Sequence, residues 1–365
     1  MKIPYVNLAK QYIKEKKNLN KIFNNVLNSG NYVGGNFIKN FEKNISKFCG
    51  TDYCVSLNSG TDALTLALYL SGVRKGDEVI TTPNSFIAST AVIVHLGAKP
   101  VFVDVLEDQN INPHLIENKI TSKTKVIMPV HLSGRVCKMD KIKKIARDNN
   151  LIIIEDSAQA IGSKYDGKMS GSFGEIGCFS AHPLKNLNAI GDSGFLTTNS
   201  KKIYDLANDL KNHGMTNRNV VKNFGYVSRM DNLQAAILDY RLKKLPNIIK
   251  NRRKNAEIYR EIIDQKNVFI PIETTKEFNT YHTFVIQVPK RDKLKKYLKS
   301  QGIETSIHYP IPIHLQPAAK KLGYKKGDFL KTEEQSKKIL TLPINQFLTE
   351  KEIKYISNKI NKFYN

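Results

Sequence analysis

Three short segments of the chain hold residue types that could do chemistry. Asn58-Ser59-Gly60-Thr61-Asp62-Ala63 directly follows an apolar run and opens a helical pattern. A strand–glycine–helix junction leaves the first helical N–H groups free, and the helix dipole favours an anion there. Ser59 and Thr61 add hydroxyls, so the segment could cradle a phosphate; taken alone, it reads as an ordinary Ser/Thr helix cap. No Gly-x4-Gly-Lys-Ser/Thr run is present, so it is not a P-loop. Leu151-Ile152-Ile153-Ile154-Glu155-Asp156-Ser157-Ala158-Gln159-Ala160 is an apolar strand ending in two carboxylates. Burying Asp156 there is costly unless a cation or donor pairs with it, and a protonated heteroaromatic nitrogen would do so. Alone, an Asp capping the next turn explains it equally. In Phe179-Ser180-Ala181-His182-Pro183-Leu184-Lys185-Asn186, a lysine stands in a tight proline-containing loop between apolar segments. Desolvation would lower its pKa and make its amine nucleophilic, with the Ser180 hydroxyl nearby. Alone, Lys185 is one lysine among many.

Their order sharpens the reading. A phosphate cradle, a strand-end carboxylate and a loop lysine 185 − 156 = 29 residues later match the needs of pyridoxal 5'-phosphate. The phosphate would sit on the helix N-terminus. The carboxylate would keep the pyridine nitrogen protonated, so that the ring acts as an electron sink. The lysine would hold the cofactor covalently and shuttle protons.

The elements that must position these residues are legible as an alternation of short apolar strands and helices. Strands are predicted at Tyr53–Leu57, Glu78–Thr82, Pro100–Val105, Lys125–Val130, Leu151–Glu155, Cys178–Ser180 and Gly194–Thr198. Helices are predicted at Asp62–Ser71, Phe86–Leu96, Pro113–Lys119 and Lys138–Asp148. This is an α/β pattern, a mainly parallel seven-stranded sheet with helices on both faces, and such sheets bind ligands at their strands' carboxyl ends. Helices are expected over Met230–Leu245 and Pro246–Gln265, then a strand at Thr283–Val288, a helix at Arg291–Gln301 and a capping box at Thr349–Glu352. The division expected is a large domain with an N-terminal helical segment, residues 1–245, and a smaller α+β domain, residues 246–365.

Composition bounds the function. The 365 residues carry 57 Lys plus Arg against 33 Asp plus Glu, a net charge of +24. Nucleic-acid binding would concentrate that charge, whereas runs such as Lys14–Lys17, Arg252–Lys254 and Lys295-Lys296 are spread along helical stretches that read as solvated faces. Gene base composition, or attraction of an anionic small substrate, accounts for the surplus as well. A 41% hydrophobic content supports a buried core. No run approaches the ~20 apolar residues of a membrane helix, and residues 1–20 lack the apolar core of a secretory signal. The four cysteines form no CxxC pair, so neither a disulfide scaffold nor a zinc ribbon is expected. The expectation is a soluble cytoplasmic protein without a structural metal, membrane insertion or nucleic-acid partner.

With these motifs in this order, the chain resembles the pyridoxal-phosphate-dependent sugar aminotransferases of the DegT/DnrJ/StrS family over nearly its whole length. The resemblance is carried by Ile3–Leu8, Ser59–Leu64, Gly76–Ile80, Pro129–Leu132, Glu155–Ala160, Ser180–Asn186, Ser228–Asp231 and His308–Gln316. It implies the aspartate-aminotransferase fold, type I, in a homodimer with active sites at the subunit interface. Lys185 then matches the Schiff-base lysine and Asp156 the partner of the pyridine nitrogen. Gln159 matches the residue against the ring near its hydroxyl, Gly60, Thr61 and Ser180 the phosphate ligands, and Phe86 an aromatic on the cofactor's other face. A plain core aromatic is the alternative for Phe86. His308, Tyr309 and His314 fall in the segment that contributes to the sugar pocket, in a form resembling members that aminate 3-keto nucleotide sugars. No further ligand joins the two histidines at a metal spacing. His131 stands at a strand's carboxyl end, near the site or in a structural role.

Two departures stand out. Many members have Gly-Tyr-Asn-x-Arg, whose Asn reaches the neighbouring subunit's cofactor phosphate; this chain has Gly225-Tyr226-Val227-Ser228-Arg229. Ala181 stands where an aromatic is more frequent. In relatives that dehydrate sugars the lysine can be histidine, so Lys185 favours amination. The expected reaction moves an amino group from an amino acid, glutamate by analogy, to a nucleoside-diphosphate-linked 3-keto-deoxyhexose for surface polysaccharide. The alternatives are a 4-keto nucleotide sugar, a free keto-sugar acid, sugar dehydration, or a basic nucleic-acid-binding or regulatory role.

Overall fold

A computed structural model describes residues 1–365. The chain opens with helices α1 (Leu8–Ser29) and α2 (Asn36–Cys49). Strands and helices then alternate: β1 (Tyr53–Leu57), α3 (Gly60–Leu70), β2 (Glu78–Thr81), α4 (Ala88–His95), β3 (Lys99–Phe102), β4 (Thr124–Ile127), α5 (Met139–Asp148) and β5 (Ile152–Asp156). A hairpin of β6 (Lys164–Tyr165) and β7 (Lys168–Met169) precedes β8 (Ile176–Ser180), β9 (Gly194–Thr198) and α6 (Lys201–Leu210). After the small hairpin β10 (Met215–Asn217) and β11 (Val220–Val221) come α7 (Asn232–Leu242), α8 (Leu245–Ile262), β12 (Glu277–Phe278), β13 (Phe284–Gln287) and α9 (Arg291–Ser300). The chain closes with α10 (Leu330–Lys338), β14 (Ile339–Leu342) and α11 (Glu350–Tyr364).

The central sheet has the order β1-β9-β8-β5-β4-β2-β3. Strands β3, β2, β4, β5 and β8 run parallel. Strand β9 is antiparallel to both neighbours, β8 and β1. Its direction follows from its connection. The loop from Ala181 to Ser193 contains no helix, and strands joined without a crossover lie antiparallel. That loop carries Lys185.

The apolar strand runs serve two cores at once. Val79, Val126 and Ile154 face one helical layer, while their neighbours Ile80, Ile127 and Ile153 face the other, as the two-residue repeat of a strand demands. A separate core gathers Ile286, Leu342, Tyr259, Leu294 and Ile356 from β13, β14, α8, α9 and α11. Ile3 joins that core by pairing across the chain with Ile303.

The structure differs from the sequence expectation in places. Pro113–Lys119 is not an α-helix but two 3-10 turns, Pro113–Leu115 and Glu117–Lys119; so short a segment gains too few bonds to offset nucleation. The Thr349–Glu352 capping box forms as predicted. No helix is long and apolar enough to cross a membrane.

Candidate active site

The carboxyl ends of β1, β5 and β8 converge on a cavity of about 470 Å³, a volume usual for a small-molecule site. Every site residue expected from the sequence borders it except His314.

One end is the start of α3. The Ser59 hydroxyl accepts from Asp62 N at 3.1 Å, so Ser59 is the helix cap. The N–H groups of Gly60 and Thr61, in the helix's first turn, remain for an anion. Gly60 packs on Ser180: a Cβ at position 60 would stand 2.7 Å from the Ser180 Cβ. The glycine therefore lets the helix start and the end of β8 close on one point, bringing the Ser180 hydroxyl to the cradle.

The two carboxylates of β5 separate because successive residues of a strand face opposite sides. Glu155 points away from the cavity and is fully buried. It accepts from the N–H groups of Gly171, Phe173 and Gly174 and pairs with His131 Nε2 at 2.9 Å. The other imidazole nitrogen, Nδ1, accepts from Cys137 N, which places the His131 proton on Nε2. His131 is thus a structural residue beneath the strand end. Asp156 faces the cavity. Ser89 Oγ donates to its Oδ2 at 2.7 Å and Ala158 N donates to its Oδ1 at 3.2 Å. Ser85 hydrogen-bonds Ser89 in turn. These contacts fix the carboxylate while leaving acceptor capacity toward the cavity.

Lys185 keeps some solvent access, yet protein surrounds it deeply enough that desolvation lowers its ammonium pKa to about 8, against a smaller upward pull from Asp156. Gln159 is oriented from both sides. Its Oε1 accepts from Ser133 N at 2.8 Å and its Nε2 donates to the Tyr309 hydroxyl at 3.3 Å. Burial, then the charge of Asp156, pushes the Tyr309 phenol up to about 12. Phe86 is 58% exposed, with its ring 6.1 Å from that of Tyr309; it is a cavity wall and not a core aromatic. His308 Nδ1 meets Thr341 Oγ1 at 2.9 Å. Burial, reinforced by the Lys185 charge, lowers its imidazole to about 4, so it is neutral at pH 7.

His314 corrects the sequence expectation. It is buried away from the cavity, with Nε2 on Glu333 Oε1 at 3.0 Å and its ring against the edge of Phe329. The Ile313–Leu315 3-10 turn swings its side chain toward α10. Sequence reasoning in turn missed Ser89, Tyr5, His282 and Arg252, all on the cavity wall. Arg252 donates from Nη1 to the carbonyls of Tyr281 and His282 and from Nη2 to Gln346 Oε1. Its one sequence signal was a lysine-and-arginine run that reads equally as a solvated face. Val227 is 48% exposed and does not border the cavity, while its neighbour Ser228 bonds Asn58 beside the α3 start.

The sequence profile of the DegT/DnrJ/EryC1/StrS aminotransferase family matches residues 13–361. A pleiotropic regulatory protein of Geobacillus stearothermophilus is 38% identical, aligned over 100% of this chain and 99% of that protein. The dTDP-3-amino-3,6-dideoxy-alpha-D-galactopyranose transaminase of Aneurinibacillus thermoaerophilus is also 38% identical, over 99% of each chain. The crystal structure of S. venezuelae DesV in complex with a ketimine intermediate superposes with a TM-score of 0.97 at 32% identity, covering 99% of this chain and 98% of that one.

Proposed function

The chain belongs to the DegT/DnrJ/EryC1/StrS aminotransferase family and is a pyridoxal-phosphate-dependent sugar aminotransferase, and we propose that it moves the amino group of L-glutamate to a nucleoside-diphosphate-linked 3-keto-deoxyhexose. The observation that carries the proposal is the convergence of Lys185, Asp156 and the α3 start on one cavity. A relative whose name specifies a 3-amino sugar, matched end to end, supports the 3-keto position.

The cavity fits the cofactor: Gly60 lets the start of α3 close on Ser180, where a Cβ would clash, and Asp156 is a buried carboxylate with no cationic side chain bonded to it. When bound, the cofactor supplies an electron sink and a carrier for the amine. Gly60, Thr61 and Ser180 would hold its phosphate, Asp156 its ring nitrogen, Phe86 one ring face and Gln159 the ring's hydroxyl edge. Lys185 Nζ, with its pKa lowered to about 8, can both take and return a proton at the reacting carbon. The neutral His308 keeps Nε2 for a sugar hydroxyl, and Tyr309 stays a protonated donor.

Three further assignments complete the reading. The protein acts as a homodimer, which would cover the apolar Val220, Val221, Phe224, Tyr226 and Val227, all exposed here. It works in the cytoplasm, a reducing compartment that suits four free, buried cysteines, and serves surface-polysaccharide synthesis. Residues 1–245 and 246–365 form its two domains, a division supported by the separate core that the later half of α8 shares with β13, α9, β14 and α11, to which Ile3 of the N-terminal segment also adds.

Mixing the purified enzyme with L-glutamate should convert the cofactor's visible band to that of the amine form. Adding 3-keto and 4-keto nucleotide sugars and a free keto-sugar acid in turn should yield an amino sugar from the 3-keto compound. No spectral conversion with glutamate would overturn the donor. Amination of another acceptor alone, or a dehydrated product, would overturn the substrate.

A further inference from the structure

Helix α1 is built against the usual rule. Of its 22 residues only Gln11, Glu15 and Val26 are buried, while Tyr12, Ile13, Phe23 and Leu27 are exposed. Two of the three side chains it buries within this chain are polar, and both belong to one network. Gln11 and Asn188 exchange a reciprocal pair of amide hydrogen bonds, Gln11 Nε2 to Asn188 Oδ1 at 3.0 Å and Asn188 Nδ2 to Gln11 Oε1 at 3.1 Å. Glu15 Oε2 receives Arg241 Nε at 3.0 Å and Nη2 at 2.7 Å. Arg241 Nη1 then donates to the carbonyls of Asn188 at 2.7 Å and Ala189 at 3.2 Å. Asn188 also donates from Nδ2 to the Pro183 carbonyl at 2.8 Å.

The carbonyls of Pro183, Asn188 and Ala189 bracket Lys185. The Ala181–Ser193 loop has neither helix nor strand within it, and backbone groups outside a ladder need partners from side chains or water. Here three of them come from Asn188 and Arg241. From the same loop, Asn186 Nδ2 bonds the Thr280 carbonyl. Buried polar networks of this kind hold geometry tightly when satisfied and fail when one member is lost.

We infer that Asn188, clamped by Gln11 and by the Glu15–Arg241 pair, is the positioning residue that fixes the Lys185 loop and so aims the Lys185 amine into the cavity. None of Gln11, Glu15, Asn188 and Arg241 lines the cavity, so the network acts through the loop backbone. The inference rests on the proposed role of Lys185.

The test uses the full-length, cofactor-loaded protein with Gln11→Met, which keeps the volume and removes the amide pair. Glu15→Gln runs in parallel; it keeps the shape and removes the charge opposite Arg241. Thermal melts establish which variants fold. Expected in each folded variant is a kcat lower by up to about a hundredfold, the cost of displacing a reacting group by ~1 Å. The donor KM should be unchanged. The pH midpoint of the cofactor's visible band should move, and less borohydride-trapped cofactor should appear on the Lys185 peptide. A fall in melting temperature with normal kcat and an unmoved band overturns the inference, as does a kcat loss without movement of the band. Lys185→Ala serves as the control: if it retains turnover, the reading of Lys185 fails instead.

Discussion

At the scale of single residues, the proposed chemistry rests on how the protein treats two charges. Asp156 and Lys185 were legible because each breaks a local rule, a carboxylate closing an apolar strand and a lysine in a proline-bearing loop between buried segments. Their supports were not legible. Ser89 lies 67 positions from Asp156, and the hydrogen bond between them exists only once β2 and β5 share a sheet. His314 shows the reverse: its segment suggested the sugar pocket, while Glu333 supplied a partner on the other side of the backbone. The lowered Lys185 pKa makes a stability prediction for the cofactor-free protein. Its amine falls from 10.5 to about 8 on folding. Between those values the unfolded chain binds more protons than the native one, so native stability rises with pH across that window. Melting temperatures of cofactor-free protein at pH 7.5 to 9.5, minus those of Lys185→Met, should show a positive slope; a flat difference would mean that the ammonium is not desolvated.

At the scale of elements, strands buried on both faces were plain in the sequence, since a short apolar run admits few other readings. The direction of β9 was not, because it depends on what its loop lacks. Nor did the sequence resolve α1 as a single helix, most of whose apolar residues point outward and two of whose three buried residues are polar. The junction of β1, α3 and β8 makes the sharpest demand. Gly60 meets Ser180 backbone and side chain at 2.7 to 3.0 Å from any added Cβ, and Gly194 meets Ser59 backbone at 2.3 Å. Gly60→Ala must therefore push α3 and β8 apart at the anion cradle, an overpacking that costs typically 1–3 kcal/mol. Cofactor affinity, read by equilibrium titration of the visible band, should fall by roughly tenfold or more, since 1.4 kcal/mol is a factor of ten. Wild-type affinity in Gly60→Ala would place the phosphate elsewhere.

At the scale of the whole molecule, the +24 charge changes meaning once the lysines are placed. Five of them pair with an acid four residues away on a helix, as in Lys144–Asp148, Lys201–Asp205, Lys338–Glu334 and Lys354–Glu350. Exposed pairs of this kind add little stability, and one basic run is not a solvated face at all, since its Arg252 is buried on the cavity wall. A surplus that large still sets up a positive field, and the proposed acceptor carries a diphosphate. Association of opposite charges falls as salt shortens the screening length, from about 30 Å at 0.01 M to about 3 Å at 1 M. kcat/KM for the nucleotide sugar should therefore decline several-fold across that range, and more steeply than kcat/KM for glutamate, which carries less net charge. The two slopes are measured on one enzyme, so a general salt effect on folding or assembly cancels between them. Equal slopes would show that the field does not steer the acceptor, and would leave the positive charge as a property of the surface alone.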